Sequence, residues 1–131
     1  GCSRHHIANI GFHGAATRGD KKNQVPSYEM FVGGSFGSDG HARFAKRVKT
    51  KVPAKRVPDM LKDLIHYYQS ERESEERFNQ FVDRVGTDPF EELAERHKDA
   101  GPLNKENIGT YLDWGKTRLF KVERGEGECA L

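Results

Sequence analysis

Cysteine, tryptophan and long apolar runs are scarce in this sequence. Its 131 residues include two cysteines and one tryptophan, 34% of them are hydrophobic, and the mean hydropathy is -0.85. Two cysteines exclude a framework of several disulfides and are typical of a reducing compartment. No apolar run approaches the ~20 residues of a membrane span, and no charged start with an apolar centre marks a signal peptide. We therefore expect one soluble, cytoplasmic domain that does not bind a membrane.

Acidic residues are absent from one long stretch, between Gly40 and Pro58. Residues 1–58 carry 11 Lys and Arg against 3 Asp and Glu, a net +8, whereas residues 59–131 carry 11 against 17, a net -6. A basic block attracts polyanions. The sequence leaves three interpretations of the block open: a solvated face, the lining of an anionic cofactor's site, or a nucleic-acid-binding surface over residues 43–56. Nucleic-acid modules more often interleave aromatic residues for stacking, and only Phe44 does so here. The block comprises Arg43, Lys46, Arg47, Lys49, Lys51, Lys55 and Arg56.

The first third of the chain has the pattern of strands and loops. Short apolar or alternating runs predict strands over residues 7–12 and 28–32, and a basic, edge-like third strand over residues 46–52. Residues 13–26, rich in glycine and lysine, are expected to form an exposed loop. Residues 33–40 contain four glycines and are expected to be a mobile loop unless a ligand binds there.

Apolar residues at spacings of three and four predict helices in the second third. The first runs over residues 57–70 with Pro58 in its first turn. Ser74 is expected to cap a second helix over residues 75–85, with Glu75 and Glu76 near its positive end. A third helix is expected to run from Pro89 to about residue 98, starting in a capping box made by Asp88 and Glu91. The stripes expected to enter the core are Val57, Met60, Leu61, Leu64, Ile65, Tyr68, Phe78, Phe81, Val82, Val85, Phe90 and Leu93.

The last third has no sustained period. Residues 119–123 are a candidate strand returning to the sheet, and residues 125–129 are expected to fray. The predicted fold class is α+β: a small, mainly antiparallel sheet followed by two or three packed helices and a loosely structured C-terminal tail. Residues 1–52 form its strand and loop part, residues 53–98 its helical part, and residues 99–131 a C-terminal extension.

Chemically versatile side chains cluster at the start of the chain. Cys2 is followed by His5 and His6, and His13 comes directly after the first predicted strand. Cysteine and histidine are the usual zinc ligands, but this spacing matches no closed zinc site. Cys129 is most simply an exposed free thiol.

The ordered series Cys2-Ser3-Arg4-His5-His6-Ile7-Ala8-Asn9-Ile10-Gly11-Phe12, followed by Tyr28-Glu29-Met30-Phe31-Val32-Gly33-Gly34, resembles the siroheme-dependent nitrite and sulfite reductases. In that family a Cys-x3-Cys pair leads into an Ile-Ala-Asp-Ile-Gly strand and later into a Tyr-Glu-hydrophobic-Gly-Gly strand. Asn9 stands where the family often has Asp. The helix start near residue 57 is also similar.

The resemblance implies two cofactors, a 4Fe-4S cluster and siroheme. Cys2 corresponds to the last cluster cysteine, whose thiolate also bridges to the siroheme iron, so it is the implied metal ligand. Gly33, Gly34 and Arg47 are implied neighbours of siroheme, whose eight carboxylates favour basic residues. A thiolate-held cluster needs all its ligands, so we expect the chain alone to hold no cofactor. No catalytic residue is expected within it.

The chain begins with Gly1 and Cys2 rather than methionine, and we expect it to be a fragment of a longer enzyme. The implied function is that of the C-terminal part of an oxidoreductase that reduces sulfite to sulfide, or nitrite to ammonia, by six electrons. The His5-His6 pair favours sulfite. Implied partners are the remainder of the reductase chain, an external electron donor (ferredoxin or a flavoprotein) and a small anionic substrate. The alternative is a stand-alone nucleic-acid-binding module that uses residues 43–56.

Overall fold

A computed structural model of the chain describes residues 4–38 and 40–123. The architecture is α+β, as predicted, with a three-stranded antiparallel sheet, a separate two-stranded sheet and three α-helices. The helices of the described part are all too short or too polar to cross a membrane. The strands are β1 (Ile10–Arg18), β2 (Gln24–Val32), β3 (Ser35–Phe36), β4 (Ala42–Arg43) and β5 (Lys46–Pro53), and the helices are α1 (Val57–Glu71), α2 (Phe78–Val85) and α3 (Asp88–His97).

The main sheet has the order β1-β2-β5, so the basic strand β5 lies at an edge, as predicted. The β1–β2 ladder runs from Ile10 opposite Val32 to Arg18 opposite Gln24 without interruption. The prediction of an exposed loop over residues 13–26 is therefore wrong. Small and polar residues form strand there because they pair with β2; only residues 19–23 connect the two strands.

The glycine-rich stretch after β2 is also more regular than expected. Ser35 pairs with Arg43 and Phe36 with Ala42, so that β3 and β4 form a short hairpin. Gly33, Gly37 and Gly40 have positive φ angles, a conformation that non-glycine residues rarely adopt.

The core lies between the main sheet and the three helices. Alternate residues of β2 and β5 face the helices, and the predicted stripes of α1, α2 and α3 pack against them. The exceptions are Ile65, which is exposed, and Leu61, which is only partly buried and lies outside this core. Aromatic rings at edge-on or tilted angles fill the centre, with Phe81 contacting Tyr67, Tyr68 and Phe90. The buried members of this core are Met30, Val32, Val48, Val52, Met60, Leu64, Phe81, Val82, Phe90, Leu93 and Ala94.

The predicted start of α2 and the predicted capping box of α3 are wrong. Helix α2 begins at Phe78 rather than at residue 75, because Glu76 is held outside it: its carboxylate pairs with Arg84 at 2.8 Å, and its carbonyl accepts the Tyr68 hydroxyl at 2.7 Å. Gly86 ends α2 as predicted. Helix α3 begins at Asp88, but Glu91 makes no capping box. Its carboxylate instead accepts the backbone N–H groups of Lys49 and Thr50, at the edge of β5.

Residues 99–123 contain little regular structure, but one residue anchors them. Tyr111, in the 3-10 helix Ile108–Tyr111, is fully buried beside Val25. Its hydroxyl accepts the N–H of Asp20 at 2.8 Å and donates to the carbonyl of Gly101 at 2.6 Å. The predicted return strand over residues 119–123 does not join the main sheet. Leu119 bridges to Leu112 instead. The expected fraying of residues 125–129 lies outside the described residues.

Replacing Tyr111 with Phe should destabilise the fold. The ring would still pack, but the Asp20 N–H and the Gly101 carbonyl would lose their shared partner, which costs about 1–3 kcal/mol. Urea unfolding measures the difference. Tyr67→Phe is the matched control, because the Tyr67 hydroxyl makes no hydrogen bond within the part of the chain described here. Equal stability of the Tyr111 variant and the wild type would contradict this anchoring role.

The Glu76–Arg84 pair should make stability depend on pH at acid values. The hydrogen bond from Arg84 lowers the pKa of Glu76 below its usual value. A depressed carboxyl pKa stabilises the fold above the unfolded-state value and ceases to do so as the pH falls through the folded-state value. Glu76→Gln should therefore reduce stability at pH 7 more than at pH values well below the ordinary glutamate range. Unfolding curves at both pH values test this, and an identical effect at the two would contradict it.

Candidate functional site

The segment that follows Cys2 lies on the face of the sheet opposite the helices. The 3-10 helix Arg4–Ile7 crosses over β1, and residues 4–9 are called the N-terminal segment below. Gly11 permits this close approach, because a Cβ atom at residue 11 would lie 2.3 Å from the carbonyl oxygen of His5. The sequence therefore places the residues after Cys2 directly against the sheet.

Aromatic rings form the contact between the N-terminal segment and the sheet. The His5 ring centroid lies 4.6 Å from that of Phe31 and 4.9 Å from that of His13. The His6 ring meets Phe31 edge-on at 5.0 Å and Phe44 at 6.1 Å. Phe31 alternates with the core residues Met30 and Val32, so it faces away from the helices. This packing fixes both histidines, which follow Cys2 by three and four residues in the sequence, against the sheet.

Gly33 and Gly34, the glycine turn, hold the same segment through backbone hydrogen bonds. The N–H of Gly33 donates to the carbonyl of Asn9 at 2.8 Å, and the N–H of Gly34 donates to that of Ala8 at 3.0 Å. A Cβ atom on Gly34 would lie 2.7 Å from the carbonyl oxygens of both His6 and Ala8. Glycine is thus required at residue 34 by the chain's own backbone.

The carbonyl groups of the glycine turn are bound on the other side. The Gly33 carbonyl accepts Arg43 Nε at 2.8 Å. The Gly34 carbonyl accepts Nδ2 of Asn79 at 3.0 Å and Nδ2 of Asn9 at 3.3 Å. The turn therefore links the N-terminal segment to β4 and α2.

An open groove of about 510 Å³ lies between the N-terminal segment and the short hairpin. Its wall is largely apolar, with one cation, Arg4, at the residue nearest Cys2 in the described chain. Phe36 and Phe44, in and beside the hairpin, are largely exposed. An apolar groove with a basic residue can receive a flat, anionic ring system. The lining residues are Arg4, Ile7, Ala8, Asn9, Ile10, Gly34, Ser35, Phe36 and Ser38.

Arg47 lies on the same face, opposite Phe31 in the β2–β5 register. Its guanidinium pairs with Glu29 at 2.9 Å, and Lys51 reaches the same carboxylate at 3.8 Å. Its role towards siroheme stays a prediction. A ligand carboxylate would share Arg47 with Glu29.

The basic block is not a continuous free face. Arg43 and Lys46 pair with Asp83, Arg47 and Lys51 pair with Glu29, and Lys55 lies 3.7 Å from the ring centroid of Trp114. Thus five of its seven cations already have acidic or aromatic partners. This arrangement gives the nucleic-acid alternative no support.

Metal ligands are sparse in the described part of the chain. No group of three His, Cys, Asp or Glu residues there is arranged to hold a metal ion. Cys2 and Cys129, the only cysteines of the chain, lie outside the described residues. The ligand role of Cys2 and the free-thiol prediction for Cys129 therefore stay predictions.

Sequence reasoning missed Asn9 and Asn79 as site residues and treated Arg43 only as part of a charge block. Asn79 carries no sequence signal, because it comes to the glycine turn from another element, 45 residues along the chain. The signal for Arg43 is its place just after the glycine-rich stretch. A residue on that hairpin is well placed to bind the turn that precedes it.

Comparison with known proteins decides the family. The model of the nitrite and sulphite reductase 4Fe-4S domain matches residues 1–101. The chain belongs to this family. The match covers the N-terminal segment, the glycine turn and all three helices. Members of this reductase family use a 4Fe-4S cluster and siroheme, so the resemblance seen in the sequence is confirmed.

Individual reductases are similar over different spans. The sulfite reductase (ferredoxin) of Synechococcus elongatus is 25% identical over 95% of this chain and 18% of its own length. The hemoprotein beta-component of sulfite reductase (NADPH) of Staphylococcus carnosus is 34% identical over 66% of this chain and 13% of its own. The chain thus spans less than a fifth of these two relatives.

A nitrite reductase and a solved structure are also similar. The chloroplastic ferredoxin–nitrite reductase of Pinus sylvestris is 33% identical over 49% of this chain and 59% of its own length. The structure of the NirA protein of Mycobacterium tuberculosis has a TM-score of 0.59 and 30% identity, covering 66% of this chain and 16% of NirA. Relatives of both substrate types therefore match this reductase domain.

Replacing Gly34 with Ala should displace the N-terminal segment of this reductase domain. The added methyl group would overlap two backbone carbonyl oxygens, and overpacking of this kind costs about 1–3 kcal/mol. Gly14→Ala is the control, because a Cβ atom there meets nothing within 4 Å. Thermal unfolding and the chemical shifts of residues 4–9 measure both effects. If the Gly34 variant kept wild-type stability and shifts, the glycine turn would not constrain the segment.

Proposed function

We propose that this chain is the C-terminal part of the cofactor domain of a siroheme and 4Fe-4S reductase, and that the whole enzyme reduces sulfite or nitrite. The observation that supports this most is the set of contacts made by the residues after Cys2. The aromatic contacts of His5 and His6 and the hydrogen bonds of the glycine turn hold them against the sheet. A ligand residue needs such support, because neighbours of a metal ligand orient it and tune the metal.

Cys2 is the proposed cluster ligand from this chain. A 4Fe-4S cluster is held by four thiolates, and this chain has two cysteines. The remaining ligands come from the remainder of the reductase, which is the first proposed partner. Residues 1–52 then form the cofactor-facing part, residues 53–98 support it, and residues 99–131 extend it.

Siroheme is the proposed occupant of the face next to the groove. Its carboxylates are anionic, and Arg4, Arg47 and Lys51 are among the cations of this face in the described part of the chain. Arg47 is held by Glu29, which orients the guanidinium while leaving further donors for a ligand carboxylate. Gly33 and Gly34 contribute to this site through their backbone, because their N–H groups hold the N-terminal segment beside the groove.

When bound, the cluster and siroheme would relay six electrons, one after another, from an external donor to a small anion. We favour sulfite over nitrite because of the His5-His6 pair after Cys2. The proposed donor is a ferredoxin or a flavoprotein, in line with the ferredoxin and NADPH named for the relatives. The proposed compartment is the cytoplasm, since cysteine usage fits a reducing environment.

Exchanging Cys2 for Ser in the full reductase tests the proposal, with Cys129→Ser as the matched control. The Cys2 variant should lose the cluster-coupled haem spectrum and most of its six-electron turnover, because a thiolate corner of the cluster is removed. The Cys129 variant should retain both. Optical and electron paramagnetic resonance spectra, together with sulfite and nitrite assays, provide the measurements. Normal turnover and an unaltered haem spectrum in the Cys2 variant would refute the assignment.

A further inference from the structure

We propose that Arg43 is a positioning residue: it joins the glycine turn to α2 and thereby fixes the N-terminal segment that follows Cys2. This inference rests on the proposed function, because it gives Arg43 a role toward the cofactor-bearing segment. Its first test, however, needs no cofactor.

One guanidinium binds three groups from two parts of the fold. Arg43 Nε donates to the Gly33 carbonyl at 2.8 Å, Nη1 pairs with Asp83 Oδ2 at 2.7 Å, and Nη2 donates to the Asn79 carbonyl at 3.3 Å. Gly33 belongs to the turn, while Asp83 and Asn79 belong to α2. The side chain is therefore a direct bridge between the turn and the helix.

The bridge requires arginine rather than positive charge alone. The guanidinium presents five N–H donors in a fixed plane, whereas lysine offers one flexible ammonium group. Both partners of the ion pair are partly exposed, at 37% and 48%, and exposed pairs contribute little stability. What Arg43 contributes is thus the direction of its donors toward the turn and the helix.

Asn79 reinforces the same junction at a cost. Its Nδ2 group donates to the Gly34 carbonyl at 3.0 Å, while its Oδ1 atom is buried without a hydrogen-bond partner. A buried polar atom without a partner is unfavourable and calls for an explanation. The explanation here is that the Gly34 carbonyl dictates the orientation of the amide.

Two sets of backbone hydrogen bonds connect the residues around Arg43 to the N-terminal segment. The glycine turn donates its two N–H groups to Asn9 and Ala8, as described above. In addition, the N–H of Ala45, two residues after Arg43, donates to the carbonyl of His6 at 2.6 Å. A shift of Arg43 would therefore move the segment at three carbonyl groups.

Amide hydrogen exchange in this chain tests the bridge without cofactors. In Arg43→Lys the exchange of the Gly33 and Gly34 amides should accelerate about tenfold, which corresponds to the loss of a typical hydrogen bond. Asp83→Asn is the matched control, because it removes the ion pair but keeps the hydrogen bond from Arg43 to Gly33. In this variant the exchange of the Gly33 and Gly34 amides should accelerate less than about threefold. The Leu64 amide in α1 reports global stability, and rates are compared relative to it.

Two results would contradict the proposal that Arg43 joins the glycine turn to α2. One is unchanged exchange of the Gly33 and Gly34 amides in Arg43→Lys, relative to Leu64. The other is equal acceleration in Arg43→Lys and Asp83→Asn, which would assign the effect to the ion pair.

The second test uses the full, cofactor-loaded reductase. Arg43→Lys should shift the siroheme reduction potential and the electron paramagnetic resonance spectrum, and it should lower kcat more than it changes KM. Lys46→Met is the control, because it removes another partner of Asp83, and it should leave all of these quantities unchanged. Unaltered spectra and potential in Arg43→Lys would overturn the positioning role. A wild-type enzyme that binds no siroheme would instead refute the proposed function, and the exchange result in the chain would still stand.

Discussion

Two backbone hydrogen bonds, from Gly33 and Gly34 to the carbonyls of Asn9 and Ala8, are the contacts on which the candidate site depends. They connect the end of the central strand to the segment that follows Cys2. Their geometry needs a positive φ at Gly33 and the absence of a Cβ atom at Gly34. Everything else at the site supports this contact: the histidine and phenylalanine rings pack beneath the segment, and Arg43 and Asn79 hold the turn from behind.

Part of the charge asymmetry of the chain is offset by ion pairs within the fold. The basic half carries the sheet, and the acidic half carries the helices that pack on it. Asp83 of α2 meets Arg43 and Lys46, and Glu91 of α3 accepts two N–H groups at the edge of β5. The carboxylate of Glu91 also protects that edge, since open strand edges invite pairing with other chains. A strongly basic sequence block is therefore, in this fold, mainly a partner for the chain's own acids.

Apolar periodicity was sufficient to predict α1, Gly86 to predict the end of α2, and basic charge to predict the edge position of β5. It failed where tertiary contacts decide the local conformation. Residues 13–18 have no strand signal of their own and become strand because β2 pairs with them. Glu76 and Glu91 satisfy local capping patterns, yet Arg84 and β5 compete successfully for their carboxylates. At the site, the sequence motif indicated Gly33 and Gly34 as candidate site residues. Asn79 has no such signal, because it comes next to them only when the chain folds.

The central claim is that the glycine turn holds the segment after Cys2, and hydrogen-bond scalar couplings in the isotopically labelled chain test it most directly. The account predicts correlations from the Gly33 nitrogen to the Asn9 carbonyl carbon and from the Gly34 nitrogen to the Ala8 carbonyl carbon. Couplings across the β1–β2 ladder serve as the internal standard. Detection of the ladder couplings without the two glycine couplings would contradict the account.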